Sequence, residues 1–285
     1  MTIKEALSSE GVKGTSPLAG CGAAPHGLWL LEKATGLSAT ELRVTNENTE
    51  LSPEAKRIFL HMTEQLQSGI PLQYILGEWG FLNLNIKCKP GVLIPRRDTE
   101  VLAEAAIDYL KNSSKGPQDK LTALDICTGS GCVGIALAPY CVHVTGADIS
   151  PIAIDLAREN AELNGVSDRI TFVESDLFNN INGHFNCITA NPPYIPTSEL
   201  DNLPADVKKE PISALDGGPD GLDYYRAIIP TSRKFLLPGG ALFLEIGATQ
   251  SKTVAAILRD NGFKAVVTIK DLEDRDRVIQ STKGI

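Results

Sequence analysis

Residues 121–134 read LTALDICTGSGCVG. An apolar run, LTALDIC, enters Thr128-Gly129-Ser130-Gly131, and a second apolar stretch follows at once. Gly129, Gly131 and Gly134 satisfy G-x-G-x-x-G. Glycines permit a tight turn there and let backbone come close to a ligand. Asp148 stands at the end of the next apolar run, 23 residues after Asp125. A carboxylate in that position accepts hydrogen bonds from ribose hydroxyls. Strand, glycine turn, helix and acid together predict a nucleotide-like ligand.

Downstream of this unit the pattern keeps alternating. Strands are expected over 122–127, 142–147, 170–174, 186–190 and 241–246, with helices near 132–138, 151–163, 223–236 and 250–260. Ser150-Pro151 reads as a cap followed by proline at the first helical position. Strands spaced by helices imply a parallel, doubly wound sheet with a Rossmann-like α/β architecture. The tail departs from the alternation. Residues 264–270 and 276–282 are two strands joined by a short charged connection, which predicts a terminal antiparallel hairpin.

Upstream, residues 1–70 read as a small helical domain. Glu5 to Leu7 lies in a short helix, and Leu28 to Thr35 is a compact apolar piece. Ser38 with Glu41 forms a capping box. Ser52-Pro53-Glu54 opens a helix whose Ile58, Phe59, Met62 and Leu66 recur at helical spacing, with Gly69 as its stop. Residues 11–27, rich in Gly, Ala and Pro, read as irregular. Residues 71–94 mix aromatic and β-branched residues with Gly77, Gly80 and Gly91 and predict a β-hairpin connector. The domain carrying the glycine loop is then expected over 95–285. It begins with a helix opened by Asp98-Thr99-Glu100 and is interrupted by the polar linker Lys111 to Lys120.

Charge narrows the partners. The 285 residues hold 27 basic and 35 acidic side chains, a net −8. Residues 1–80 carry 6 basic and 9 acidic groups and the remainder 21 and 26, so neither part is basic. Affinity for a phosphate backbone comes mostly from Lys and Arg, so no stable nucleic-acid partner is expected. No apolar run approaches the ~20 residues of a membrane span, and the N-terminus lacks a secretory h-region. Six cysteines at 21, 88, 127, 132, 141 and 187 are scattered without a CxxC or a metal-ligand set. Reduced thiols and a cytoplasmic location are the expectation, with no metal.

Two more acids bear on the ligand. Asp125 would repel a pyrophosphate from inside the strand, but it can hold the loop or reach the ammonium of a methionine moiety. The third strand ends in Glu174-Ser175-Asp176, where Asp176 can accept from an adenine amino group or simply N-cap a following turn.

The fourth strand runs straight into Asn191-Pro192-Pro193-Tyr194. In an open α/β sheet, ligands sit beyond the carboxyl ends of the strands. Pro192 holds Asn191 extended. The Asn191 side-chain oxygen and the Pro192 carbonyl can together accept both hydrogens of a planar –NH2 group, and Tyr194 can pack its ring on that group. An amide or aryl amine is a poor nucleophile because its lone pair is delocalised. Fixing the nitrogen between acceptors favours the geometry in which positive charge develops, so no basic side chain is needed.

With these residues in view, LDICTGSG, Asp148, Glu174 to Asp176 and NPPY resemble class I S-adenosylmethionine-dependent methyltransferases acting on amino groups. PLQYILGEWGF (71–81), LIPRRDTEVL (93–102), NPPYIP (191–196), KEPISALDGGPDGLDYYR (209–226) and DRDRVI (274–279) narrow the resemblance to the HemK/PrmC family. It covers about residues 28–282, weakly before 70. It implies methyl transfer from S-adenosyl-L-methionine, leaving S-adenosyl-L-homocysteine, to the side-chain amide of the glutamine in the Gly-Gly-Gln loop of class 1 peptide chain release factors.

The same resemblance implies site roles. Thr128, Gly129, Ser130 and Gly131 hold the cofactor, Asp148 takes the ribose hydroxyls, and Asp176 with Leu177 flanks the adenine. Asn191, Pro192, Pro193 and Tyr194 bind the glutamine, with Asn191, Pro192 and Tyr194 catalytic and Asn191 also near the cofactor. Pro95, Arg96, Thr99 and Glu100 lie beside its methionine end, and the helical N-terminal domain grips the release factor. Three positions depart from the family pattern: Cys127 for the first loop glycine, Arg97 for a proline, and Leu177 for a tryptophan.

Rival readings remain. An adenine-amino methyltransferase would present the same –NH2 to NPPY, and a ribosomal-protein glutamine methyltransferase shares the chemistry. An NAD-dependent oxidoreductase accounts for the glycine loop but leaves NPPY without a task. A catalytically idle binding module would transfer no methyl group at all.

Overall fold

A computed structural model describes residues 1–8, 26–113 and 120–284. The irregular stretch expected at 11–27 falls mostly outside these residues, as do Cys21 and most of the polar linker at 111–120. Two compact units divide the chain: Met1–Trp79 with Pro204–Lys209, and Gly80–Leu203 with Glu210–Ile285.

The first unit is helical: α1 (Ile3–Ser8), α2 (His26–Thr35), α3 (Ala39–Val44), α4 (Pro53–Gln67) and α5 (Leu72–Leu76). Ser38 and Glu41 form the expected reciprocal capping box at α3. Ser52 caps α4 by accepting from the Ala55 N–H, with Pro53 in the first turn. Leu30, Leu31, Phe59 and Leu72 are fully buried in one apolar cluster. Residues 72–76 are helix, not strand. The alternation of LQYIL is too short to fix a period, and Gly77, left-handed at φ 77°, ends the turn as a helix C-cap. The hairpin expected over 71–94 is confined to β1 (Glu78–Phe81) and β2 (Leu84–Lys87).

In the second unit follow α6 (Arg97–Ser113), β3 (Thr122–Ile126), α7 (Cys132–Leu137), β4 (His143–Asp148), α8 (Pro151–Leu163), β5 (Ile170–Glu174), β6 (Phe185–Ala190), α9 (Asp223–Phe235), β7 (Leu236–Glu245), α10 (Ser251–Asp260), β8 (Lys264–Lys270) and β9 (Asp276–Thr282). The seven-stranded sheet has the order β5-β4-β3-β6-β7-β9-β8. Strands β3 to β7 pair in parallel, while β9 runs antiparallel to both β7 and β8. This is the Rossmann-like, doubly wound sheet with a terminal antiparallel hairpin, as expected. The hairpin inserts β9 beside β7 and leaves β8 at the edge.

Each strand divides its side chains between two cores. Ala123, Val144, Cys187, Ala241 and Phe243 pack with α6, α7 and α8, while Leu124, Ile126, Ile188, Leu242 and Leu244 pack with α9 and α10. Period-two alternation with both faces covered explains why these strands read as continuous apolar runs. Strand β7 begins at Leu236, five residues earlier than its apolar run. Leu236-Leu237-Pro238-Gly239-Gly240 reads as a turn, yet Leu236 still pairs with Phe185 across a register shift.

Candidate active site

A cleft open to solvent lies beyond the carboxyl ends of β3, β4, β5 and β6. Its wall includes Pro95, Arg96 and Thr99 before and within α6, Asp125 of β3, and Thr128, Gly129 and Ser130 from the glycine loop. Asp148 and Ile149 follow β4, Asp176 and Leu177 follow β5, and Asn191 and Pro193 follow β6. Three crossovers of the sheet thus deliver the glycine loop, the acids and the Asn-Pro-Pro-Tyr segment to one place.

Asp125 organises the loop from below. It is buried (2 % exposed), and its Oδ2 accepts from the Thr128 hydroxyl at 2.6 Å and from Gly134 N–H at 3.1 Å. Its Oδ1 accepts from the Thr189 hydroxyl at 2.7 Å. Burial raises its pKa to about 6 against these three donors. Of its two possible tasks, holding the loop is the one the hydrogen bonds display, and it lies on the cleft wall as well. Asp148 ties the loop to β4: Oδ2 accepts from Gly129 N–H at 2.8 Å and Oδ1 from Ser150 N–H at 2.9 Å. Desolvation raises its pKa in spite of these bonds. Each carboxylate oxygen keeps a second lone-pair direction for a ligand hydroxyl.

Gly131 is not part of the cleft wall. A Cβ there would come within 3.0 Å of Ala157 and 3.2 Å of Phe172, and φ is 82°. This glycine serves close packing of the loop on α8. Cys127 is left-handed at φ 57°, a backbone conformation that favours glycine. Burial pushes its thiol well above the ordinary value, so it stays neutral. Asp176 caps no helix; residues 176–180 form a turn, where it accepts weakly from Asn179 Nδ2 at 3.4 Å, and Leu177 is left-handed at φ 49°.

The Asn191 amide is oriented. Its Nδ2 donates to the Thr99 hydroxyl at 3.1 Å, and its Oδ1 accepts from none of the described residues. Pro193 joins Asn191 on the wall, while Pro192 is buried and Tyr194 points its hydroxyl at Glu245 Oε1, 3.4 Å away; neither reaches the wall. The Pro192 carbonyl nevertheless belongs to the peptide that joins it to Pro193. The backbone at the end of the motif is clamped by the segment 215–221 and by Gln250: Ile195 N–H donates to Leu215 O, Gly217 N–H to Ile195 O, and Gln250 Nε2 to Tyr194 O at 2.9 Å. A Cβ on Gly221 would lie 2.3 Å from Tyr194 O, so only glycine admits this approach.

Several supporting residues went unnoticed in the sequence. Buried Asn160 of α8 accepts from Lys87 N–H at 2.7 Å and donates to Ser130 O at 2.9 Å, linking β2 to the glycine loop. Buried Glu210 accepts from Ile94 N–H at 2.9 Å and pairs with Arg96. Glu245, 1 % exposed at the end of β7, sits under Thr99 and Tyr194. Only Glu210 lies in a stretch that the family resemblance had marked; Asn160 and Glu245 sit in ordinary apolar patterns. Glu100 is not at the cleft but accepts from Leu82 N–H at 2.8 Å, fixing the β1–β2 turn.

Comparisons with known proteins identify the family. Residues 23–77 match the model of the PrmC N-terminal domain and residues 101–205 that of the methyltransferase small domain. The chain is 42 % identical over 232 residues to a release factor glutamine methyltransferase of Moorella thermoacetica, covering 80 % of each chain. It is 41 % identical over 260 residues to that of Geobacter sulfurreducens, covering 90 % of this chain and 88 % of the relative. Among solved structures, a methyltransferase from Pyrococcus furiosus superposes with a TM-score of 0.52 at 20 % identity, over 72 % of this chain and 91 % of that one, a likeness of fold.

Proposed function

The chain belongs to the release factor glutamine methyltransferase family, and on that footing we propose that it methylates N5 of the glutamine in the Gly-Gly-Gln loop of class 1 peptide chain release factors, using S-adenosyl-L-methionine. The observation that carries this reading is the Asn191 amide, whose nitrogen is held by Thr99 and whose oxygen is thereby left to the cleft as a fixed acceptor.

The donor set suits the cofactor. Asp148 at the end of β4 offers lone pairs to ribose hydroxyls. Ile149 and Leu177 give apolar surface for a flat base, with Asp176 beside them for its amino group. Asp125, a buried carboxylate on the wall, matches the ammonium of the methionine part. Bound there, S-adenosyl-L-methionine supplies an electrophilic methyl group on a sulfonium.

The chain's own contribution is positioning and electrostatics. Asn191 Oδ1 accepts one hydrogen of the glutamine amide, and the Pro192 carbonyl accepts the other. Two acceptors align the nitrogen lone pair and stabilise the positive charge that develops on it. Tyr194, tethered by Glu245 and with its carbonyl fixed by Gln250, anchors the turn that presents Asn191. No side-chain base is needed, because the alkylated amide nitrogen is strongly acidic. The helical unit would hold the release factor away from the glutamine, in the cytoplasm where termination takes place. Among the described residues no helix is long and apolar enough to cross a membrane.

An adenine-amino methyltransferase would need a surface that attracts phosphates, and the net charge of −8 weighs against it. The test is incubation with labelled S-adenosyl-L-methionine and a class 1 release factor, intact or with its Gly-Gly-Gln glutamine changed to alanine. Label on the intact factor alone supports the proposal; label persisting on the altered factor defeats it.

A further inference from the structure

We infer that Glu245 is a positioning residue for methyl transfer, acting through Thr99 to fix which end of the Asn191 amide faces the substrate. The inference rests on the function proposed above. Asn191 by itself has no preference between presenting its oxygen or its nitrogen to the cleft. Only the oxygen can receive a substrate N–H, so the amide must be prevented from turning over.

Thr99 is the device that prevents it. Its hydroxyl accepts from Asn191 Nδ2 at 3.1 Å. A hydroxyl that accepts there must send its own hydrogen elsewhere, and the acceptor beside it is the Glu245 carboxyl, whose Oε2 no other group takes up. Glu245 is 1 % exposed and Thr99 3 % exposed, so water does not compete for these bonds. Glu245 Oε1 accepts from the Tyr194 hydroxyl at 3.4 Å, and among the described residues the buried Oε2 has no other donor, which leaves it to the Thr99 hydrogen. Glu245 does not line the cleft and touches no substrate.

The chain of donors has a direction. With Glu245 ionised, the Thr99 hydrogen points at the carboxylate, the Thr99 lone pair receives Asn191 Nδ2–H, and Asn191 Oδ1 faces the cleft. With Glu245 protonated, it can donate to Thr99 instead. The Thr99 hydrogen is then released towards Asn191, which favours the turned amide and a donor in the cleft. The groups facing Glu245 are Asp98 and Thr99 of α6, Cys132 of α7, Tyr194 after β6, Tyr225 of α9 and Arg277 of β9. Arg277 is itself paired with Asp98 at 3.1 Å and with Asp271 at 3.3 Å, so its attraction for Glu245 is shared. Burial, with Asp98 adding to it, pushes Glu245 up to about 7 in spite of Thr99, Arg277 and Tyr194. The ordering of Asn191 therefore strengthens as the pH rises through neutrality.

The experiment measures single-turnover methylation of a class 1 release factor between pH 5.5 and 9 by the wild type, Glu245→Gln, Thr99→Ser, Thr99→Val and Glu245→Gln with Thr99→Val, alongside S-adenosyl-L-methionine affinity by calorimetry. The wild-type rate is expected to rise with an apparent pKa near 7, and Glu245→Gln to lose that limb while binding the cofactor within threefold of wild type. Thr99→Ser is expected to keep the rate within threefold, and Thr99→Val to lower it at least tenfold. The double variant should be no slower than Thr99→Val alone, the non-additivity of residues acting in one chain. A pH limb that persists in Glu245→Gln, or losses that multiply in the double variant, would overturn the inference while leaving the methyltransferase reading intact. A wild type that labels no release factor at any pH would instead remove the reading on which it rests.

Discussion

Asn191 and Thr99, 92 residues apart in sequence, are joined side chain to side chain at 3.1 Å across the head of the cleft. The bond commits the donor end of the Asn191 amide to the protein and leaves its acceptor end to a substrate. Asn191→Ala removes the acceptor and leaves the glycine loop, Asp125 and Asp148 untouched. Turnover is expected to fall at least 100-fold, about 3 kcal/mol of transition-state stabilisation, with cofactor affinity nearly unchanged. Calorimetry beside a methylation assay checks this, and wild-type turnover in the variant would refute the role.

Asp148 joins ligand recognition to loop geometry, because the carboxylate offered to the ribose also accepts from Gly129 N–H and Ser150 N–H. Asp148→Ala leaves both donors unpaired and withdraws two oxygens from the cleft. S-adenosyl-L-methionine affinity should drop at least tenfold, about 1.4 kcal/mol. The stabilisation that saturating cofactor gives the wild type in thermal unfolding should shrink with it. Equal cofactor-induced shifts in the two proteins would count against Asp148 as a ligand.

Gly221 admits the clamp on the catalytic turn. A methyl group there would meet Tyr194 O at 2.3 Å in a backbone already at φ 73°. Gly221→Ala is expected to destabilise by about 2–4 kcal/mol and to slow methylation by moving Asn191, an effect visible as a lowered denaturant midpoint and a lowered kcat. A variant unchanged in both would show that segment 215–221 is free to yield.

These cases mark what the sequence makes legible. Strand–turn–helix periodicity and the chemistry of glycine, proline and asparagine are local, so the sheet, the loop acids and Asn191 could be read directly. The terminal hairpin was legible because its two strands lack a helix between them. Helix α5 was not, because five residues hold too little period to separate helix from strand. Glu245 and Asn160 were not, because their importance lies in partners dozens of residues away: Thr99 and Tyr194 for one, Lys87 and Ser130 for the other. Tyr194 and Pro192 belong to the same motif, but their side chains lie behind the wall that Asn191 and Pro193 form, a placement set by contacts with Glu245 and Gln250 far along the chain.

Asp125 gives the last prediction, and it separates stability from binding. Its folded-state pKa of about 6 lies above the ordinary 3.8, because burial outweighs the bonds from Thr128, Thr189 and Gly134. Folding therefore favours the protonated form. Its contribution to stability is fully present below about pH 4 and is lost as the pH rises through 6. The difference corresponds to about 3 kcal/mol by linkage. Asparagine fits the same place: its oxygen can take the two donors now on Oδ2, and its amide can donate to the Thr189 hydroxyl, which is free to turn towards Leu124 O at 3.5 Å. Relative to wild type, Asp125→Asn should thus gain stability between pH 4.5 and 7.5, read as the difference between the two denaturation free energies across that range. The same variant loses the charge that faces the cleft, so its affinity for a cationic methionine moiety should fall while its stability at pH 7.5 rises. A stability difference that stays flat with pH would show that Asp125 is ionised throughout, held so by its three donors in spite of burial.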